Sequence, residues 1–399
     1  MNILYLCDEY PPGRHGGIGT VVQMLARQMV KKGHVVVVAG FYDWGYGGED
    51  HFKDDGVMVY RYRKLFDKAF GFRTTYLQRA LFKASDLAGI LHYTNAIGLK
   101  GYKSFLESLI AKYNIDLIEM PDYNDYVRTC KGYLPFPHLS VPVVVKLHGT
   151  LTYFAREAGR DLPQYITQIE KDILEKAKAV CSVSEYTASH TKVYLDYEKP
   201  VKVIYNGIDT NVDVEADKVC NKVIYTGSLA EKKGIYQLMH AWNKVIEEIP
   251  DARLHVFGKG PIEKLIPLLN AEAVKTVFFE GHVDRAALYK SLSSSELAVF
   301  PSFAECFALG PMEAMACGTA VIYTTRTSGP ELITHKKNGW LIDPADISDI
   351  ANSIIYLLKN KQITAQLARQ GRATTKEKFD IGVITSITEQ YYQSVLINN

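Results

Sequence analysis

The chain has 399 residues, 46 Lys and Arg against 44 Asp and Glu, 47% hydrophobic residues and 23% charged ones. It is longer than an ordinary domain of roughly 100–200 residues and too apolar for disorder, so two globular domains are expected. A net charge of +2 gives no global field that would recruit nucleic acid, which excludes such a partner short of a local basic stripe.

Along the chain, short β-branched runs alternate with stretches of helical period, the pattern of βαβ units on a parallel sheet. Apolar runs fall at 3–6, 35–39, 57–60, 117–120, 143–147 and 180–183, with a helical pattern over 20–32. A second series follows at 223–226, 254–257, 277–280, 297–300, 320–323 and 340–342. The predicted fold class is α/β, with two Rossmann-like domains. The polar, acidic stretch 206–222 lacks an apolar period and reads as the interdomain linker. The predicted division is an N-terminal domain over 1–205, a C-terminal domain over 206–375 and a helix over 376–399 that packs back on the first domain. In that helix Ile381, Ile384, Ile387, Tyr391 and Val395 lie near helical spacing. The cleft between two such domains is where a ligand is expected.

Three further features bound the setting. The six cysteines (7, 130, 181, 220, 306 and 317) include no C-x-x-C pair, so their spacing suits neither a disulfide framework nor a zinc site, and a cytoplasmic location is expected. The start MNILYLCDEYPP lacks a basic n-region, and no segment reaches the ~18 apolar residues that span a bilayer. Neither secretion nor membrane insertion is expected.

The first chemistry-bearing stretch is YPPGRHGGIGT, where Gly13, Gly16, Gly17 and Gly19 lie between a strand and a helix. Such a turn lets backbone N–H groups approach an anion at the positive helix end, or serves only as a tight turn. The spacing is not G-x-G-x-x-G, which argues against NAD. His148, in LHGT, ends a strongly β run, and ligands bind at the carboxyl ends of parallel strands.

The second domain opens with YTGSLAEKKGI, where small residues again run into a helix beside Lys232 and Lys233. A lysine there can neutralise phosphate charge as a mobile point cation. The block PSFAECFALGPMEAMACGTAVI carries Glu305 and Glu313 eight residues apart. Glu313 falls inside an apolar helical run, where a carboxylate is costly unless a ligand or a buried donor partners it. Glu305 precedes the helix, near the N–H groups of Phe307, Ala308 and Leu309, which can face an anionic ligand.

Taken jointly these stretches resemble the retaining glycosyltransferases of family 4, which have the GT-B architecture of two Rossmann-like domains facing a deep cleft. The matching pieces are YPPGRHGGIG, LHGT, SVSEYT, VIYNGID, YTGSLAEKKG, FGKGP, FEGHV, the E-x(7)-E block, GPELI and NGWLI, in family order from residue 3 to about 343. The resemblance implies transfer of a hexose-type sugar from a nucleotide-sugar donor (UDP-, GDP- or ADP-sugar) to an acceptor hydroxyl, with no other cofactor. It casts Lys233 as the diphosphate-binding lysine and Glu313 as the ribose-binding carboxylate. Glu305 and the backbone at Phe307, Ala308 and Leu309 would hold the donor sugar and phosphates, with Gly16 and Gly17 approaching the phosphate from the first domain. His148 would lie near the donor sugar, so His148, Glu305 and Lys233 are the expected catalytic residues. Two departures stand out. Ser228 follows the loop glycine Gly227 where the family usually has a second cationic residue, Arg, and Ala308 replaces a glycine. Lys232 and Arg326 are the candidate substitutes for the missing cation.

No Asp-x-Asp occurs, so leaving-group charge is expected to be met by Lys233, helix N-termini and amides, with no metal site. The resemblance favours same-face attack over a carboxylate nucleophile. Between 61 and 83, seven cations (among them Arg61, Arg63, Lys64 and Arg73) interleave with aromatics against the single acid Asp67. Such a face suits an anionic membrane surface, so the expected acceptor is a growing glycan or lipid-linked saccharide in cell-surface polysaccharide synthesis, with peripheral contact at the inner membrane face. The alternatives are an epimerase or hydrolase acting on the same donor, or a catalytically silent nucleotide-sugar-binding subunit.

Overall fold

The computed structural model describes residues 1–13, 15–42, 48–64, 76–212 and 216–397. The chain divides into two units, Met1–Gly207 with Ile384–Asn399 and Ile208–Val383.

The first unit is built on eight strands: β1 (Asn2–Leu6), β2 (Val35–Tyr42), β3 (His51–Asp54), β4 (Val57–Arg63), β5 (Leu117–Pro121), β6 (Val143–Leu147), β7 (Ala179–Ser182) and β8 (Val201–Val203). Their order is β3-β4-β2-β1-β5-β6-β7-β8, parallel throughout except for β3 against β4. The apolar runs of the sequence become the central strands, because a parallel sheet covered on both faces demands near-continuous Val, Ile and Leu. Edge strands β3 and β8 were not expected. HFKD alternates exposed and half-buried residues and VKV is three residues long, so neither carries the apolar run that marks an inner strand.

Both faces of this sheet are packed. On one, Leu4, Val37, Ile118 and Val145 meet Leu106 and Ile169; on the other, Tyr5, Val38 and Val144 meet Leu25 and Met29. Ile384, Tyr392 and Val395, from the C-terminal helix Ile381–Ile397, belong to the second cluster. Tyr392 donates its hydroxyl proton to buried Glu119 on β5 at 2.5 Å. A buried carboxylate is tolerable only with such a partner.

At Arg61, Arg63 and Lys64 the fold departs from the expected basic, aromatic face. Strand β4 runs on through Arg63, and its period of two turns Val57, Val59, Arg61 and Arg63 to the buried side. Arg61 and Arg63 are 3% and 2% exposed. The Arg61 guanidinium lies between the Tyr42 and Phe52 rings and donates to the carbonyls of Tyr10 and Pro12, and Arg63 pairs with Asp50 at 2.6 Å. Lys64 pairs with Asp125 at 3.3 Å over the Phe41 ring. These three cations brace the sheet; Arg73 lies outside the described residues. No helix among the described residues is long and apolar enough to cross a membrane.

The second unit holds six parallel strands: β9 (Lys222–Thr226), β10 (Arg253–Phe257), β11 (Val277–Gly281), β12 (Leu297–Phe300), β13 (Ala320–Thr324) and β14 (Trp340–Ile342), in the order β11-β10-β9-β12-β13-β14. The chain starts at β9, adds strands on one side and then crosses to the other at β12, so β9 and β12 flank a topological switch point. In open α/β sheets that crevice at the strand carboxyl ends receives ligands.

Candidate active site

The residues singled out in the second unit gather at that switch point. Thr226 ends β9 and Gly227 follows at φ +150°, its N–H bonded to the Phe257 carbonyl at 2.9 Å. A Cβ on Gly258 would stand 1.8 Å from the Gly227 carbonyl oxygen, so the loops after β9 and β10 can lie against each other only through glycine. Ser228 is exposed, and its carbonyl accepts the Tyr225 hydroxyl at 2.9 Å.

The chain next makes one tight turn, Glu231–Lys233, and enters the helix Ile235–Glu248 through Gly234 at φ +69°. This turn is stapled to the loop after β12, because the Phe303 N–H donates to the Lys232 carbonyl at 2.8 Å. The Lys233 ammonium therefore reaches Glu305, with which it forms an ion pair, and the Ser302 hydroxyl donates to the same carboxylate oxygen at 3.1 Å. Both side chains keep some exposure, 25% for Lys233 and 12% for Glu305, so the pair faces an accessible edge. Phe307 is buried and packs its ring against Phe379 at 5.4 Å between centroids. Ala308 then caps the helix Leu309–Ala316, and among the described residues no protein acceptor takes the N–H of Ala308 or Leu309. A cation and unfilled helix amides are the groups that an anion seat requires.

Glu313, one turn into that helix, points to a second cluster that the sequence reading missed. Tyr289 donates its hydroxyl to Glu313 Oε1 at 3.2 Å, and an Arg285 nitrogen lies 3.6 Å from the same atom. Arg285 in turn donates to the Tyr289 oxygen at 2.9 Å from Nε. Burial raises the Glu313 carboxyl above the usual range, and Arg285 and then Tyr289 draw it back. The available signal was the spacing of Arg285 and Tyr289, four apart on the helix Arg285–Ser293 that Asp284 caps, hence on one face. Arg326, a candidate substitute cation, pairs with Asp343 at 3.2 Å and lies over the Phe303 ring.

In the first unit the glycine loop differs from the expectation of an open anion seat. Gly16 caps the helix Gly17–Lys31, and the Glu9 carboxylate accepts the Gly19 N–H at 2.8 Å. The protein's own carboxylate thus occupies part of this helix N-terminus. Gly19 is the sterically demanding glycine, since its Cβ would lie 2.0 Å from the Glu9 carbonyl, whereas nothing stands within 4 Å of a Cβ on Gly17.

His148 lies at the carboxyl end of β6, as expected, and is buried. Its backbone is held by Asp122, whose two oxygens accept the N–H groups of His148 at 2.7 Å and Gly149 at 3.1 Å. Glu170 likewise accepts the first amides of the helix Leu151–Glu157, from Leu151 at 2.8 Å and Thr152 at 3.1 Å. Asp122 and Glu170 also escaped the sequence reading, because they act on backbone amides distant along the chain.

Burial, then the charge of Lys146, pushes the His148 imidazole down to about 3, while burial carries Asp122 up to about 7. The two act on stability in opposite directions. Between pH 3 and 6.5 the unfolded chain protonates His148 where the folded chain does not, so this contribution is complete above 6.5 and is lost on acidification. Between about 4 and 7 the folded chain holds a proton on Asp122 that the unfolded chain has released, so that contribution grows on acidification. We expect the urea midpoint of Asp122→Asn to fall more steeply from pH 7.5 to 5 than that of the wild type, and that of His148→Gln to fall less steeply. Parallel profiles for the three proteins would contradict both assignments.

The fold and the site together define a two-unit α/β transferase of the GT-B class. Residues 15–212 match the family described as Glycosyltransferase Family 4 and residues 212–374 the family described as Glycosyl transferases group 1. The chain belongs to the GT-B glycosyltransferases of family 4. It is 26% identical to N-acetyl-alpha-D-glucosaminyl L-malate synthase of Bacillus anthracis, over 96% of this chain and 94% of that protein. It is 24% identical to glycogen synthase of Mycobacterium tuberculosis, over 98% and 94%. Among solved structures, sucrose-phosphate synthase of Thermosynechococcus elongatus superposes with a TM-score of 0.75 at 20% identity, covering 100% of both chains. HepE of Anabaena, solved in complex with UDP and glucose, gives 0.70 at 18% identity, covering 99% of this chain and 100% of that one.

Proposed function

We propose that this glycosyltransferase moves a hexose-type sugar from a nucleotide-sugar donor to an acceptor hydroxyl with retention of configuration. The observation that carries the reading is the Lys233–Glu305 pair beside the unfilled amides of Ala308 and Leu309, at the switch point of the second sheet. A nucleoside diphosphate leaving group develops negative charge as the glycosidic bond breaks, and a preformed cation and helix amides stabilise that charge without reorganisation. Lys233 Nζ would exchange part of its contact with Glu305 for a phosphate oxygen, leaving the Glu305 carboxylate to accept hydroxyls of the donor sugar. Glu313, already aimed by Tyr289 and Arg285, would accept the ribose hydroxyls.

In this reading attack occurs on the face the diphosphate leaves, and the departing phosphate oxygen takes the acceptor proton. His148, held neutral, serves as a hydrogen-bonding group near the donor sugar and not as an acid. With Ser228 exposed and Arg326 engaged by Asp343, the diphosphate relies on Lys233, Lys232 and backbone amides. The complexes of HepE with UDP and UDP-glucose support a nucleotide-sugar donor. The acceptor is a glycan or lipid-linked saccharide of cell-surface synthesis, a reading supported by the phosphatidyl-myo-inositol mannosyltransferase of Mycobacterium tuberculosis, 26% identical over 48% of this chain. Peripheral membrane contact, if made through this acceptor, does not use the buried Arg61 and Arg63.

The test is a melting-temperature screen against UDP-, GDP-, ADP- and dTDP-sugars without added metal. One nucleotide class should raise the melting temperature, and the rise should vanish in Lys233→Ala and in Glu313→Ala. A rise that survives both substitutions would place the donor elsewhere.

A further inference from the structure

A second anion-binding feature lies in the Ile208–Val383 unit, away from Lys233, Glu305 and Glu313. On the helix Lys361–Lys378, the side chains of Arg369, Arg372 and Lys376 line one concavity together with Thr210, Asn211 and Asp380. Spacings of three and four residues put the three cations on one helix face. Among the described residues none of them makes an ion pair; the polar contact made by Arg372 is a long one to the Val212 carbonyl, at 3.4 Å. Among the described lining residues the one acid is Asp380, which forms no ion pair with the three cations. Asp380 accepts the Thr210 hydroxyl at 2.5 Å and the Gly382 N–H at 2.8 Å.

Three like charges held on one helix face, with no ion-pair partner among the described residues, repel one another. The concavity measures about 690 Å³, the size of small-molecule sites and ample for a phosphorylated sugar or a nucleotide. Two of its lining residues, Thr210 and Asp380, stand next in sequence to the place where the chain enters and leaves this unit. The Ile208 N–H donates to the Phe379 carbonyl at 2.9 Å and the Ile381 N–H to the Ile208 carbonyl at 2.8 Å.

We propose that Arg369, Arg372 and Lys376 form a binding site for a soluble phosphorylated small molecule, separate from the donor site and seated on the paired crossover segments. Arginine forks bind phosphate oxygens in pairs, and the lysine adds a point charge.

The probe is inorganic pyrophosphate, titrated by calorimetry into the full chain and into Lys233→Ala, in which the proposed donor seat is disabled. We expect Lys233→Ala to retain a pyrophosphate site whose dissociation constant rises at least tenfold on adding Arg369→Gln, Arg372→Gln and Lys376→Gln together. Binding that disappears with Lys233→Ala alone, or that the triple substitution leaves unchanged, overturns the proposal. Arg372→Gln alone, a half-buried position, gives a partial version of the same loss should the triple variant melt early. Sedimentation with phosphatidylglycerol vesicles separates the other source of phosphate. Vesicle binding that depends on the three cations, without a pyrophosphate site, would replace the soluble ligand with a lipid headgroup and overturn the proposal. The Lys233→Ala background keeps this result independent of whether the donor reading holds.

Discussion

Lys233→Ala should lower kcat/KM for the donor by about 10²–10³-fold, or about 3–4 kcal/mol of transition-state stabilisation, the scale of removing one preorganised charge-stabilising donor. The side chain is 25% exposed and its partner Glu305 keeps the Ser302 hydroxyl, so the melting temperature of the apo protein should move little. A surface ion pair of this exposure contributes at most a fraction of a kcal/mol to folding. The prediction therefore separates catalysis from stability. Glu305→Ala should cost a similar factor, and the double variant much less than the product of the two, because the residues share one interaction. Initial rates at varied donor concentration decide the matter. A loss confined to KM would make Lys233 a binding residue with no stake in the departing charge, unchanged rates would remove it from the active site, and a wild type that binds donor but turns over with no acceptor would return the chain to the silent-subunit alternative. Lys233→Arg should not restore activity, since a planar fork replaces a compact ammonium at the end of a short turn.

Gly234→Ala should be the most damaging single methyl group in the second unit. The backbone at Gly234 holds φ +69°, and a Cβ there would lie 1.7 Å from the Pro301 carbonyl oxygen. The left-handed conformation alone costs an L-residue about 1–2 kcal/mol. The overlap adds to this, because the oxygen belongs to backbone and cannot swing away, so a total above about 3 kcal/mol is expected. The turn would have to lift from the loop after β12, taking with it the Phe303 to Lys232 hydrogen bond and the Lys233–Glu305 pair. We expect a lower urea midpoint for the Ile208–Val383 unit together with loss of the donor-induced melting shift. Gly17→Ala is the control. Nothing lies within 4 Å of its Cβ, and that substitution should be neutral or stabilising by up to about 1 kcal/mol. A tolerated Gly234→Ala would mean that the two loops are not locked together.

Much of the architecture was legible in the chain before any coordinates. The inner strands were visible because a parallel sheet buried on both faces needs uninterrupted Val, Ile and Leu, as in VPVVVKL before His148. Lys233, Glu305 and Glu313 were legible for a related reason: each sits at a strand-to-helix junction or in an apolar helix, where its charge has no folding purpose. The glycines at 227 and 234 announced turns that other residues could not make.

What the chain order could not supply was pairing between distant segments. Arg61 and Arg63 read as surface cations because their counter-charges and carbonyl acceptors come from 10–12 and 48–50, and only the register of β4 turns them inward. Glu9 on the Gly19 amide, Asp122 under the His148 loop and the Arg285–Tyr289–Glu313 cluster are likewise contacts across 10, 26 and 24 or more residues. The sequence by itself determined the two α/β sheets and pointed to the strand ends where a ligand is proposed and to the charged residues near them, since periodicity and the cost of burying charge are local properties. The tertiary structure alone decided which carboxylate meets which amide or cation, because a hydrogen bond is a matter of ångströms between groups that the chain brings together only when it closes.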